Sequence, residues 1–211
     1  MISSPPSPSP FPASNSHEIK AGTRFHRVHD QRFGSCSFNP GEGRPSRFAP
    51  LFLGSDPIPT QYLATDYECA VHETIFHDVP IDEPNKTVGV DNIKPLAHSV
   101  IDLKRDLVLI PLFAPDLAKW GIRRADLIDT TAADYHITAQ WALAIHQSRP
   151  DAHGLIWTSK RCDPQQAVLL FGDRVAETDM LEISNVPIYS DVREMRQIVA
   201  FAAPVDIALA L

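Results

Sequence analysis

Two histidines and a glutamate lie close together in the segment 72-HETIFH-77, and residues of these types often bind zinc. A zinc-protease helix has the spacing His-Glu-x-x-His, which places both histidines on one face. His72 and His77 are five residues apart, so they would lie about 140° from each other around a helix. Both could not bind one ion, and we predict that the protein holds no metal. Glu73 stays a candidate for other chemistry, with a solvated surface glutamate as the simpler alternative.

Arginines and phenylalanines alternate on either side of a glycine-rich stretch. The arginines are Arg24, Arg27, Arg32, Arg44 and Arg47. Guanidinium groups bind phosphate in a bidentate manner and aromatic rings stack on bases, so this cluster could hold a diphosphate. Scattered surface charge is an equally good interpretation of these residues alone. The glycines match neither a P-loop nor G-x-G-x-x-G, so a nucleotide site here would be of another kind.

Ser159 is the third candidate, because it directly follows the apolar segment 153–158. A hydroxyl at the end of a strand faces a cleft in many α/β folds. The surrounding sequence lacks the G-x-S-x-G pattern of a nucleophile elbow. An ordinary turn serine is therefore the alternative interpretation.

The candidate residues lie beside predicted strands and helices. Hydrophobic patterns predict strands at 23–28, 97–104, 106–113, 153–158 and 166–171, with short extended pieces at 47–52 and 61–64. Helices are predicted after a capping box at 65–68 and at 123–128, 131–147 and 191–203. Residues 29–46 are rich in glycine and proline and predict a long loop. The predicted fold class is α/β (α+β), a compact mixed sheet flanked by helices.

Charge and hydropathy exclude two classes of protein. The 211 residues include 19 basic and 26 acidic side chains, which give a formal net charge of −7. Nonspecific nucleic-acid binding needs clustered lysine and arginine, so an acidic protein is poorly suited to it. The apolar runs are shorter than the roughly 18–20 residues that cross a bilayer. We therefore expect neither direct nucleic-acid binding nor a membrane protein.

The length indicates one domain with a tail. The first 16 residues contain five prolines and six serines, so we predict a disordered tail over residues 1–17 and a single catalytic domain over residues 18–211. Cys36, Cys69 and Cys162 form no C-x-x-C pair and are predicted to be reduced thiols. The N-terminus does not resemble a signal peptide, so a cytoplasmic location is expected.

The chain resembles the RES-domain family, the toxin component of RES–Xre toxin–antitoxin modules. The order of motifs carries this resemblance over about residues 23–175: an arginine-bearing strand, a glycine-rich loop, Y-L-A-T before a glutamate-bearing helix, and a late G-L-I-W-T-S. The matching stretches are 25-FHRVHDQRFGSCSFNPGEGRPSRFAPLF-52, 58-IPTQYLATDYECAVHETIFHDVP-80 and 153-HGLIWTSKRCDPQQAVLLFGDRV-175. The chain departs from the family at Val28, where many relatives have tyrosine, and at 47-RFAP-50, where many have R-W-N-P.

The resemblance implies a fold similar to that of ADP-ribosyltransferase toxins and an enzyme that consumes NAD. The reaction would be phosphorolysis or hydrolysis of the nicotinamide–ribose bond, or ADP-ribosylation of a protein. By this resemblance Glu73, Arg27 and Ser159 would be catalytic. Arg27 and Arg47 would bind the diphosphate or an attacking phosphate, Tyr62 would pack against the nicotinamide, and Ser159 would fix its carboxamide or a ribose hydroxyl.

The resemblance also implies a partner, an Xre-type helix-turn-helix antitoxin that blocks the NAD pocket. An NAD-degrading toxin is the leading hypothesis, with a protein ADP-ribosyltransferase and a catalytically inactive binding module as alternatives. Whether phosphate, water or a protein accepts the ADP-ribose stays open at this point. A homodimer is compatible with such modules. After about residue 176 the strong resemblance ends, and the helix predicted there is expected to cap the core.

Overall fold

The computed structural model describes residues 4–6, 9–80 and 82–210 of the chain. Its strands are β1 His17–Ile19, β2 Arg24–Asp30, β3 Leu51–Leu53, β4 Asp56–Ile58, β5 Thr60–Ala64, β6 Lys86–Gly89, β7 Leu96–Leu103, β8 Leu107–Pro111, β9 Gly154–Thr158, β10 Gln166–Phe171, β11 Met180–Pro187 and β12 Ile207–Ala210. Its α-helices are α1 Tyr67–His72, α2 Ala114–Lys119, α3 Arg124–Leu127, α4 Tyr135–Ser148 and α5 Val192–Ala202.

Eight strands form a mixed sheet in the order β1-β8-β9-β10-β5-β2-β7-β11. β8 and β9 run parallel, and the other neighbours run antiparallel. β2 meets β5 at the single register pair His26–Ala64, so the sheet has a five-strand part and a three-strand part. The predicted fold class, a mixed sheet flanked by helices, is confirmed.

The central strand β10 is buried on both faces because nearly every residue in it is apolar. Its side chains alternate between two core clusters: Leu169 packs with Trp157 and with Trp141 of α4. Val168 on the opposite face packs with Phe25. A third cluster packs α1 and α5 against the sheet at β2 and β5. These layers fix the ends of β5, β9 and β10, on which the candidate site is built.

Helix α1 begins one residue later than the predicted capping box and is short. Its N-cap is Asp66, whose carboxylate accepts a hydrogen bond from the Cys69 N–H at 2.7 Å. The Thr65 hydroxyl does not cap the helix but accepts a hydrogen bond from the backbone N–H of Gln166 at 3.0 Å. The helix ends at His72, so Glu73 is its C-cap residue, with φ −82° and ψ −6°. The capping box predicted from Thr65 is therefore wrong, because Thr65 bonds to the neighbouring strand.

Part of the segment predicted to be a disordered tail contacts the domain. Residues 1–3 and 7–8 of it lie outside the described residues. The Phe11 ring packs edge-on against Trp120 with centroids 5.4 Å apart, and the Trp120 indole N–H donates to the Ala13 carbonyl at 3.2 Å. The disordered tail over residues 1–17 stays a prediction. The domain boundary at residue 18 stays a prediction.

Among the described residues, none of the helices has the length and apolar character needed to cross a membrane.

Replacing Gly154 with alanine is expected to destabilise the fold by about 3 kcal/mol or more, by overpacking a buried strand. A Cβ atom at this position would lie 2.1 Å from the Leu169 carbonyl oxygen, which belongs to the paired strand β10. Urea unfolding of Gly154→Ala measures the loss. Gly89→Ala is the control, because a Cβ there meets no atom closer than 3.9 Å. An unchanged unfolding midpoint for Gly154→Ala would contradict the packing described here.

Candidate active site

The antiparallel register brings three strand ends to one edge of the sheet. Ala64 at the end of β5 lies opposite Ala167, and Thr158 at the end of β9 lies opposite Gln166. The end of β5 and the end of β9 therefore lie beside the start of β10. Since α1 and Glu73 follow β5 and Ser159 follows β9, both residues project from this edge, although 86 positions separate them.

Ser159 and Glu73 are joined by a short hydrogen bond. The Ser159 hydroxyl donates to Glu73 Oε1 at 2.6 Å, and it accepts from the backbone N–H groups of Arg161 at 3.1 Å and Cys162 at 3.0 Å. One donor and two acceptor positions are the full capacity of a hydroxyl group. Ser159 is 0% exposed. The buried serine therefore fixes the position of the Glu73 carboxylate through this hydrogen bond.

Arg47 lies on the other side of the Glu73 carboxylate. Its Nη1 atom is 3.6 Å from Glu73 Oε2, and the two side chains are 4% and 15% exposed. The Arg47 carbonyl accepts a hydrogen bond from the hydroxyl of Thr138 on α4. Its Nε atom is buried and has no hydrogen-bond partner among the residues that the structure describes. A fixed guanidinium with an unused donor is suited to bind an anionic group.

Tyr62 on β5 supports the loop that carries Arg47. Its hydroxyl accepts from the Phe48 N–H at 2.9 Å and shares a hydrogen bond with Ser46 Oγ at 3.0 Å. Burial raises the pKa of Tyr62 to about 12, so the phenol is neutral at pH 7. The Tyr62 ring packs edge-on against Trp157 and also lines the cleft described below.

Arg27 lies on β2, in the three-strand part of the sheet. Its Nη1 donates to the carbonyl of Ser35 at 2.7 Å and to that of Gly34 at 3.2 Å. Burial lowers the pKa of Arg27 to about 10, which leaves it charged at pH 7. Burial also lowers the pKa of the neighbouring His29 to about 4, so this imidazole is neutral, and its Nε2 lies 2.7 Å from Ser99 Oγ. Arg27 is thus a buried cationic group on this side of the site, and Arg44 lines the same lobe.

A cleft with two adjoining lobes opens over Glu73. The first lobe, of about 270 Å³, extends toward Arg27 and His29. The second, of about 360 Å³, extends toward Arg47, His77 and Tyr135. Both lobes are lined by Arg44, Ser46, Tyr62, Glu73 and Thr74. This cleft is lined by four of the predicted site residues: Arg27, Arg47, Tyr62 and Glu73. Ser159 does not line it but contacts Glu73.

Two residues of α4 that belong to the site are not predicted from the sequence. Tyr135 lines the second lobe and Thr138 holds the Arg47 carbonyl. No local pattern marks either residue, because their relation to Glu73 depends on how α4 packs on the sheet. The sequence indicates His77 only as a possible zinc ligand, whereas the structure places it in the second lobe beside Tyr135.

The described residues contain no group of three or more His, Cys, Asp or Glu side chains arranged to hold a metal ion. His72 is buried with its ring edge-on to Phe76, whereas the ring of His77 contacts Asp78 and Tyr135. The two histidines of the 72–77 segment thus have separate surroundings.

Comparison with known families identifies the chain. A sequence model described as RES domain matches residues 23–190, which is most of its length. The chain belongs to the RES-domain family. The match extends past residue 176 and includes β11, beyond the stretch that carries the motifs. No curated protein sequence matches this RES-domain chain.

The RES-domain chain is also similar in fold to a solved structure. The match is to a chain of the crystal structure of the M. tuberculosis MbcT–MbcA toxin–antitoxin complex, with a TM-score of 0.55 and 14% sequence identity. It covers 80% of this chain and 85% of that chain. At this identity the comparison shows a shared fold.

Replacing Ser159 with alanine is expected to reduce the catalytic rate more than substrate binding. The substitution removes the donor that holds Glu73 Oε1 and leaves two partly buried N–H groups without this acceptor. Hydrogen bonds to charged groups contribute about 1.5–3 kcal/mol, which corresponds to a rate loss of about 10–100-fold. Steady-state kinetics with NAD, the substrate that the family resemblance implies, measures the effect. A much larger rise in KM than fall in kcat would instead indicate direct contact between Ser159 and the substrate.

Proposed function

We propose that this protein is a toxin-type enzyme that degrades NAD by cleaving the bond between nicotinamide and ribose. The observation that carries the proposal is the Glu73 carboxylate at the junction of a two-lobed cleft, held by Ser159 and facing Arg47. Family membership supports the same assignment.

The chemistry of this bond needs a fixed negative charge. Its cleavage builds positive charge on the ribose, as in the oxocarbenium-like transition state of glycoside hydrolysis. A preorganised carboxylate stabilises such charge as it develops and can accept hydrogen bonds from ribose hydroxyls. Nicotinamide leaves as a neutral ring, so the reaction needs no strong general acid. Glu73 alone can therefore supply the main electrostatic contribution.

The arginines complete the site for a dinucleotide. In this proposal Arg27 binds the diphosphate from the first lobe, and Arg47 binds phosphate oxygens or an attacking phosphate from the second. Tyr62 packs against the nicotinamide between them. Ser159 acts on the substrate through Glu73, because its hydroxyl has no hydrogen-bonding capacity left for a carboxamide or a ribose.

The biological setting that we propose is a toxin–antitoxin module in the cytoplasm. The structure with a similar fold is a toxin–antitoxin complex, and the RES-domain family is consistent with such a role. The partner would be an Xre-type helix-turn-helix antitoxin that covers the cleft. DNA contact would come from that partner, because this chain is acidic overall.

Incubation of the purified protein with NAD tests the proposal. Three arms contain no added acceptor, inorganic phosphate, or a bacterial protein extract with NAD labelled in its ADP-ribose part. Formation of ADP-ribose or its 1″-phosphate with nicotinamide supports an NAD-degrading enzyme. Label on protein would replace the proposal with a protein ADP-ribosyltransferase. If NAD stays intact in all three arms, the proposal is wrong and the protein is a catalytically inactive binding module.

A further inference from the structure

We infer that Tyr135, His77 and Asp78 form a relay that takes the proton from a water molecule attacking the ribose from the second lobe. Tyr135 would touch the water, and His77 would act through Tyr135. The inference rests on the proposed NAD cleavage and adds the route by which water serves as acceptor.

The three side chains form a continuous hydrogen-bonded chain. The Tyr135 hydroxyl lies 3.0 Å from His77 Nε2, and His77 Nδ1 lies 2.9 Å from Asp78 Oδ1. A carboxylate only accepts, so the proton of a neutral His77 ring belongs on Nδ1. Nε2 is then unprotonated and accepts a hydrogen bond from the Tyr135 hydroxyl. This tautomer leaves the tyrosine oxygen free to accept a further proton from the cleft.

The relay runs from the inside of the site to solvent. Tyr135 is buried, His77 is a quarter exposed, and the Asp78 side chain is almost fully exposed. The guanidinium of Arg161 donates to the His77 carbonyl at 2.8 Å and so fixes the backbone of this residue. A proton that enters at Tyr135 therefore has a path to bulk water.

Glu73 is poorly placed to accept the proton of the attacking water as well. One of its carboxylate oxygens accepts from Ser159 and the other faces Arg47. Tyr135 lines the same lobe as Glu73 and Arg47 but belongs to α4, whereas Glu73 directly follows α1. The stabiliser of ribose charge and the acceptor of the water proton are thus separate groups.

Hydrolysis along this relay needs no reactant other than NAD and water. The water oxygen forms a bond to the ribose carbon as the carbon–nitrogen bond breaks, and the electron pair leaves with nicotinamide. The water proton passes to Tyr135 as the tyrosine proton passes to His77, which becomes an imidazolium beside Asp78. An attacking hydrogenphosphate dianion already carries its negative charge on oxygen, so phosphorolysis needs no such proton transfer.

Product partition in the presence of NAD and inorganic phosphate tests the relay. The variants are His77→Gln and Tyr135→Phe, and the control is His136→Gln, an exposed residue next to Tyr135 that lines a different, apolar surface cleft. We expect the ratio of ADP-ribose to ADP-ribose 1″-phosphate to fall about 10²-fold in both variants, as general base catalysis typically contributes 10²–10⁴-fold. The ratio should not change in the control.

An equal fall in both products would overturn the inference, because merely structural damage lowers both. An unchanged ratio, or a wild-type enzyme that cleaves NAD but forms no ADP-ribose, would overturn it as well. Failure of the proposed function is a separate result, in which the wild-type protein releases no nicotinamide under any of these conditions.

Discussion

The Glu73→Gln variant is expected to lose NAD cleavage by about 10²–10³-fold while it stays folded. Glutamine has nearly the same shape and keeps an oxygen that can accept from Ser159, but it lacks the negative charge that stabilises the developing positive charge on the ribose. Loss of NAD over time by the purified variant and the wild type at equal concentrations measures the effect.

Glu68→Gln is the matched control, since Glu68 is an acidic residue of α1, the helix that Glu73 directly follows, and does not line the cleft over Glu73. It should cleave NAD at the wild-type rate. If Glu73→Gln also consumes NAD at the wild-type rate, the carboxylate has no electrostatic role and the mechanism is wrong.

Replacing Arg47 with methionine is expected to destabilise the protein by about 3–5 kcal/mol and to abolish NAD cleavage. Arg47 is almost fully buried beside Glu73, and removal of one partner from such a pair leaves the other charge uncompensated. Urea unfolding measures the free energy of the variant against wild type. Arg196→Met is the control, because this arginine lies on the exposed face of α5 and should change stability by less than about 0.5 kcal/mol.

The double variant Glu73→Gln/Arg47→Met separates charge pairing from loss of packing. If the pair is coupled, the double variant should be more stable than Arg47→Met alone, because no unpaired carboxylate remains. Additive losses of the two single changes would show that Arg47 supports the fold through packing only. If Arg47→Met fails to fold, recovery of folding in the double variant still reports the coupling.

The central strands and long helices could be predicted from the sequence, because burial on both faces leaves a clear pattern. β10 is apolar from Ala167 to Phe171, and α4 repeats apolar residues at helical spacing. The edge strand β11 carries Leu181 and Ile183 on exposed positions and gives no such signal. β1 has only three residues, and its place beside β8 depends on the whole sheet.

The candidate site was predictable as a set of residues but not as an arrangement. Motif order identified Glu73 and Ser159, and the register of β5, β9 and β10 then explains why they meet. The helical angle predicted between His72 and His77 does not apply, because α1 ends at His72. The position of Tyr135 depends on packing between α4 and the sheet, which no local pattern records.

The most direct test of NAD cleavage at this site is the stoichiometry of nicotinamide release by the purified wild-type protein. We expect one nicotinamide to form for each NAD lost, with the ADP-ribose part recovered intact or joined to phosphate. NAD that stays intact would contradict it. So would NAD that is lost as two mononucleotides, because the broken bond would then lie in the diphosphate and not beside Glu73.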